Sequence, residues 1–151
     1  MSELFAKEHI KLNLDLKDKD AYLRYIAQLA LELGIGKEAQ GVYEGLVKRE
    51  NEFATNLGGG IAIPHTKSEH ILKPAVLVLK PRREVAWGDG GEEGVRVIIG
   101  ILSRNEQGGN AHLELLASLA RKLIDGVFKK ILVTSGSEEE IFFLVEQALY
   151  S

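Results

Sequence analysis

Hydrophobic and polar positions alternate with a period of two near the start of the chain, where Ile10, Leu12, Leu14 and Leu16 interleave with Lys11, Asn13 and Asp15. Successive side chains of an extended chain point to opposite faces, so this stretch predicts a strand with one face in water. The period then changes. Tyr22, Ile26, Leu29, Ala30 and Leu33 recur at helical spacing behind potential caps at Asp18 and Asp20, and Gly34 supplies a stop. Ala39, Val42, Tyr43 and Leu46 mark the apolar face of a second helix over 37–51. β-Branched and aliphatic runs predict strands at 60–63, 75–80 and 95–102, the last two joined by a glycine-rich loop over 88–94. Beyond a second loop at 105–109, helical spacing returns over 111–124, 126–133 and 137–150. The last of these opens on a capping box, Ser137-Glu138-Glu139-Glu140. The order is strand, two helices, three strands, three helices, with no linker or repeat. It predicts one α/β domain over 1–151, a mixed sheet of about four to five strands flanked by helices on both faces.

Composition narrows the class. With 45% hydrophobic and 27% charged residues the chain is ordinarily globular, which excludes a disordered chain. The absence of cysteine excludes disulfides, thiolate nucleophiles and cysteine-based metal sites. A formal net charge of -3 argues against nucleic acid as the main partner. The first residues lack the apolar core of a signal peptide, and the longest aliphatic run, 97–102, is far shorter than a membrane span. A cytoplasmic protein without direct membrane insertion is the expectation.

Candidate chemistry concentrates in Gly58-Gly59-Gly60-Ile61-Ala62-Ile63-Pro64-His65-Thr66. The glycines let backbone amides converge into a possible anion-binding nest. Pro64 has no amide to offer a ladder and ends regular pairing, so His65 stands at a strand end. A lone histidine there is more often satisfied by a backbone carbonyl than reactive; the preceding glycines and proline move the balance toward function. His112, behind the N-cap candidate Asn110, falls in the middle of the stripe formed by Leu115, Leu116, Leu119 and Leu123. Its spacing leaves a bonded core histidine and a cleft residue equally open. Arg49 lies near the inward stripe of the second helix, with Glu50 near the stripe's other edge. Spacing alone favours an exposed Arg–Glu helix end, whereas beside two histidines an inward arginine suits a phosphate. His9 and His70 sit in polar contexts and read as surface residues. The glycine triplet lacks the Lys-Ser or Lys-Thr of a nucleotide P-loop, and the chain has no Rossmann fingerprint, nucleophile elbow or His-Glu-x-x-His helix.

Taken together, Arg49-Glu50, Thr55, Leu57-Gly58-x-x-Ile61-Ala62-Ile63-Pro64-His65 and the block His112-Leu113-x-x-Leu116-Ala117-x-Leu119-Ala120 resemble a known family. It is the enzyme IIA component of the bacterial phosphoenolpyruvate-dependent sugar phosphotransferase system, in the mannitol/fructose class that includes nitrogen-regulatory IIA proteins. The resemblance covers nearly the whole chain. It implies a phosphotransferase component in which His65 accepts a phosphoryl group from the phosphocarrier HPr through one ring nitrogen, expected to be Nε2. The group then passes to a IIB protein or domain of a sugar permease, in this class onto a cysteine. His112 and Arg49 would stabilise the phosphoryl oxygens, with Thr55 and amides around Gly59 in the phosphate or docking surroundings. No cofactor and no metal is implied, because the donor is phosphohistidine rather than a nucleotide. Thr66 departs from the small residue usual after the histidine, and would either donate to the phosphate or crowd the docking surface. The resemblance leaves room for a regulatory IIA protein acting through protein binding, and for a transfer-inactive binding domain of the same fold.

Overall fold

Ala75, Val76, Leu77, Val78 and Leu79 are all fully buried, as are Val97, Ile98 and Ile99. Runs this uniformly buried occur in strands covered on both faces. They form the antiparallel centre of the sheet, β5 (Ala75–Pro81) against β6 (Val97–Arg104). The computed structural model of the chain describes residues 4–87, 94–104 and 113–150. β1 (Ile10–Leu14) joins β5 in parallel at one edge. On its other side β6 carries β3 (Ile61–Ala62) and then β4 (His65–Ser68), both parallel to it. β2 (Asn56–Gly58) closes that edge antiparallel to β3.

Among the described residues the sheet has six strands, one beyond the predicted four to five. β2 and β4 are absent from the sequence reading because three and four residues, mostly polar or glycine, carry no detectable period. Among the described residues five α-helices flank the sheet: α1 (Lys19–Glu32), α2 (Ala39–Glu52), α3 (Leu113–Lys122), α4 (Gly126–Thr134) and α5 (Glu138–Leu149). Their starts follow the sequence signals. Asp18 caps α1 by accepting from Ala21 N, and Ser137 caps α5 by accepting from Glu140 N at 3.1 Å. Residues 88–93 of the predicted loop 88–94, the predicted loop 105–109, the cap candidate Asn110 and the first two residues of the predicted helix 111–124 lie outside the described residues. Among the described residues no helix is long and apolar enough to cross a membrane.

Strand alternation sorts the core into two layers. Ala62, Leu77, Leu79, Ile98 and Leu102 pack with Tyr22, Ile26 and Ala30 of α1 and with Val42 and Leu46 of α2. Ile61, Val76, Val78, Val97 and Ile99 pack on the opposite face with Leu119 and Leu123, Phe128 and Leu132, and Ile141 and Val145 from α3, α4 and α5. Each face of the sheet thus has its own set of helices.

Two polar groups tie this frame together. Lys80 at the end of β5 donates to the carbonyls of Leu132 at 2.9 Å, Val133 at 2.8 Å and Ser135 at 2.5 Å, at the C-terminal end of α4. The last carbonyls of a helix have no intrahelical partner and favour a cation. Burial pushes the Lys80 ammonium below its ordinary pKa. His9 is a correction to the sequence reading: it is buried, not on the surface. Its Nδ1–H donates to Val76 O at 3.0 Å, and its ring stands edge-on to Phe5.

Two measurements test these contacts. Lys80→Met is expected to cost about 1.5–3 kcal/mol, the scale of charged hydrogen bonds, read as a lowered urea midpoint. Burial lowers the pKa of His9 in the folded state below its ordinary 6.5. The unfolded chain therefore takes up its proton first as pH falls, and stability is lost from about pH 6.5 downward until the folded-state pKa is passed. The urea midpoint of the wild type should fall more steeply toward acid than that of His9→Gln, which keeps a donor for Val76 but does not titrate.

Candidate functional site

β3 and β4 are one strand interrupted at Ile63-Pro64. Ile61 stands opposite Val97 and His65 opposite Ile101, so the register along β6 is the same before and after the break. Pro64 has no N–H; its carbonyl accepts from Ile101 N at 3.0 Å, and pairing resumes at His65. The His65 Nδ1 lies 2.8 Å from Ile63 O. A carbonyl can only accept, so Nδ1 carries the proton, and in the neutral ring Nε2 is left with the free lone pair. Directly paired residues of parallel strands share a face, and Ile101 packs with the α3–α5 layer, so His65 projects on that face. The ring is half-buried.

Behind this bond stands a chain of others. Ile63 N donates to Thr55 O at 2.9 Å. Thr55 is held in turn by Glu50: its N–H donates to Oε2 at 3.1 Å and its hydroxyl to Oε1 at 2.7 Å. Trp87 Nε1–H donates to Thr55 Oγ1 at 3.1 Å. Glu50, whose side chain is only 3% exposed, lies 3.8 Å from Lys19 Nζ. The inward residue near the end of α2 is therefore Glu50, and the helix holds its turns through Glu52 rather than fraying. Sequence reading placed Glu50 on the stripe's edge but gave it no role. A carboxylate at an inward helical position was the available signal.

The remaining predicted residues separate. Arg49 lies 3.5 Å from Glu52 Oε1 and is part-exposed. It lines a groove of about 520 Å³ between α2 and β4 with Lys48, Thr66, Lys67 and His70. That groove begins one residue past His65, and none of the described hydrogen bonds or ion pairs joins Arg49 to the ring. Thr66 lies on the opposite side of the sheet from His65, paired with Leu102 of the α1–α2 layer and buried. A Cβ placed on Gly45 would meet its Oγ1 at 2.4 Å, so Gly45 makes the room that Thr66 occupies. Thr66 therefore does not crowd the His65 ring. Thr55 is buried with its hydroxyl committed to Glu50 and Trp87, so it is a frame residue rather than a phosphate donor.

Gly59 needs a like correction. Gly58, Gly59 and Gly60 have φ of 85°, 67° and 88° and close the β2–β3 hairpin, a conformation only glycine adopts three times running at little cost. This turn is at the far end of β3 from His65. Four residues of strand put the start of β3 about 13 Å away at ~3.3 Å per residue. The amides there do not flank the ring; Gly59 lies under the Lys129 side chain of α4 instead. His112 lies outside the described residues; α3, which begins at Leu113, lies on the His65 face through Leu119 and Leu123.

The Gly45–Thr66 fit makes a direct prediction. Gly45→Ala should destabilise the fold by about 1–3 kcal/mol through overpacking. Adding Thr66→Ala should recover most of that loss, a coupling measured by a double-mutant cycle of urea midpoints.

This geometry has counterparts in known proteins. Over 147 residues the chain is 27% identical to the fructose-specific EIIABC component of the phosphotransferase system of Bacillus subtilis, covering 97% of this chain and 23% of that protein. It thus spans about a quarter of the length of that relative. The crystal structure of the nitrogen regulatory protein IIA-Ntr from Neisseria meningitidis superposes with a TM-score of 0.83 at 26% identity, covering 95% of this chain and 97% of that one. A complex of enzyme IIA and phosphorylated enzyme IIB of the mannitol system from Escherichia coli gives 0.79 at 26% identity, covering 95% and 99%. Residues 3–148 match the family described as phosphoenolpyruvate-dependent sugar phosphotransferase system, EIIA 2, and the chain belongs to that family.

Proposed function

We propose that this chain carries phosphoryl groups on His65, taking them from phosphorylated HPr and handing them to a IIB component. The observation that carries the reading is the bond from Nδ1–H to Ile63 O, which leaves Nε2 as the basic nitrogen. The Nε2 lone pair attacks the phosphorus in line as the bond to the donor histidine breaks, and the bonding pair returns to the donor ring. Transfer onward reverses these roles, with a IIB thiolate as nucleophile. The imidazole supplies the covalent chemistry, so positioning and charge stabilisation are left to the surroundings. The Nδ1–H bond to a carbonyl also offsets the positive charge that grows on the ring as its lone pair is used. Arg49, leaving its exposed pairing with Glu52, and His112 from the start of α3 are the proposed counter-charges for the phosphoryl oxygens. A cytoplasmic location follows from these partners.

The test is incubation with phosphoenolpyruvate, enzyme I and HPr, read by intact mass. One phosphoryl group is expected on the wild type and none on His65→Ala, with Arg49→Ala slowed about a hundredfold. An unlabelled wild type, or full labelling of His65→Ala, overturns the reading. A regulatory role through protein binding is the second reading, favoured by the 0.83 TM-score to a protein described as nitrogen regulatory. Recovery of a permease IIB in a pull-down supports transport, and recovery of regulatory proteins alone supports control.

A further inference from the structure

Glu50 stands three hydrogen bonds behind the phosphoryl-accepting ring, and every bond in that series has a forced direction. Thr55 N–H and Ile63 N–H can only donate. The Thr55 oxygen already receives Trp87 Nε1–H, so its own proton goes to Glu50 Oε1. Both carboxylate oxygens are therefore acceptors, and the buried Glu50 is the fixed end of the series. Burying a carboxylate costs several kcal/mol unless it is hydrogen-bonded and partnered, and a hydrophobic residue is the usual occupant of an inward helical position. At Glu50 the cost is met by two bonds to a single residue, Thr55, with Lys19 as a distant counter-charge.

The break in the strand explains what that arrangement does. Ile63 N–H bonds to Thr55 O, the pair that follows Asn56 and Ala62 on the β2 side, while Pro64, whose carbonyl faces β6, offers no N–H there. Ile63 is thus tied down at its N–H through Thr55, and its carbonyl, in the next peptide unit, is the group that accepts from His65 Nδ1. We propose that Glu50 is a positioning residue for His65: by anchoring Thr55 it holds the Ile63 carbonyl against Nδ1–H and so keeps Nε2 free of its proton. This rests on the phosphoryl-carrier reading only for its consequence in transfer. The tautomer itself is independent of it.

Glu50→Gln tests the proposal, because an amide presents one oxygen and one NH2, so one of the two acceptors facing Thr55 becomes a donor. The wild-type ring should show the Nδ1–H tautomer alone by ¹⁵N chemical shifts. Glu50→Gln and Thr55→Val should show a mixture with the Nε2–H form, and Thr55→Ser should restore the single tautomer. Acceptance from phosphorylated HPr should slow by about ten- to a hundredfold in the first two, the scale of losses when groups behind a reactive imidazole are removed. Leu29→Ala, which destabilises the α1 side of the core across the sheet from the His65 ring, serves as the control and should leave both the tautomer and the rate unaltered. If Glu50→Gln does not fold, the Thr55→Val and Thr55→Ser pair decides the matter. A single Nδ1–H tautomer in folded Glu50→Gln or Thr55→Val overturns the proposal. If the wild type accepts no phosphoryl group, the carrier reading fails, while the ¹⁵N spectra still decide the part played by Glu50.

Discussion

Ile63 is the joint on which the site depends. Its N–H is taken by Thr55 on the β2 side and its carbonyl by the His65 ring, at the point where proline forbids pairing with β6. A strand break usually leaves backbone groups to water. Here they are turned inward and satisfied by side chains and a neighbouring loop, which makes an interruption in the sheet rigid enough to aim an imidazole. The uninterrupted register on either side of the break keeps His65 on the sheet rather than on a mobile loop.

That placement has consequences on both faces. His65 and Thr66 are adjacent in the chain, yet strand alternation sends one toward α3–α5 and the other toward α2. Chemistry and packing are thereby divided. Thr66 fills a notch at Gly45, while the ring remains half-buried on the other side. Arg49 and Glu50, also adjacent, are divided in the same way by helical geometry. One opens onto the α2–β4 groove and the other is buried beneath the strand break. The helix thus presents a cation to the surface and anchors the frame around His65 within a single turn.

Much of this was legible in the chain. The central strands, the helices, and the caps of α1 and α5 follow from apolar period, Asp18 and Ser137 at helix starts, and Pro64 at the strand end. Strands β2 and β4 escaped because pairing, not pattern, defines them: β4 exists through its bonds to β6, and its own residues are mostly polar. His9 escaped for the opposite reason. Its neighbours in sequence are polar, but a distant carbonyl, Val76 O, supplies the partner that lets an imidazole be buried. The glycine triplet suggested a nest, since glycine amides can converge, and only the hairpin register shows which end of β3 it occupies.

By itself the sequence singled out His65, the proposed phosphoryl acceptor, and the break that displays it. A proline before a histidine constrains local backbone wherever the chain goes. It also determined an α/β architecture with helices on both faces of the sheet, because apolar period is a local property that burial must honour. The tertiary structure decided which ring nitrogen is free, which face Thr66 joins, and that Thr55 and Glu50 form the frame instead of touching phosphate. Each of those is a hydrogen bond or contact between residues brought together only by the sheet register and the seating of α2, and no spacing along the chain encodes such a direction.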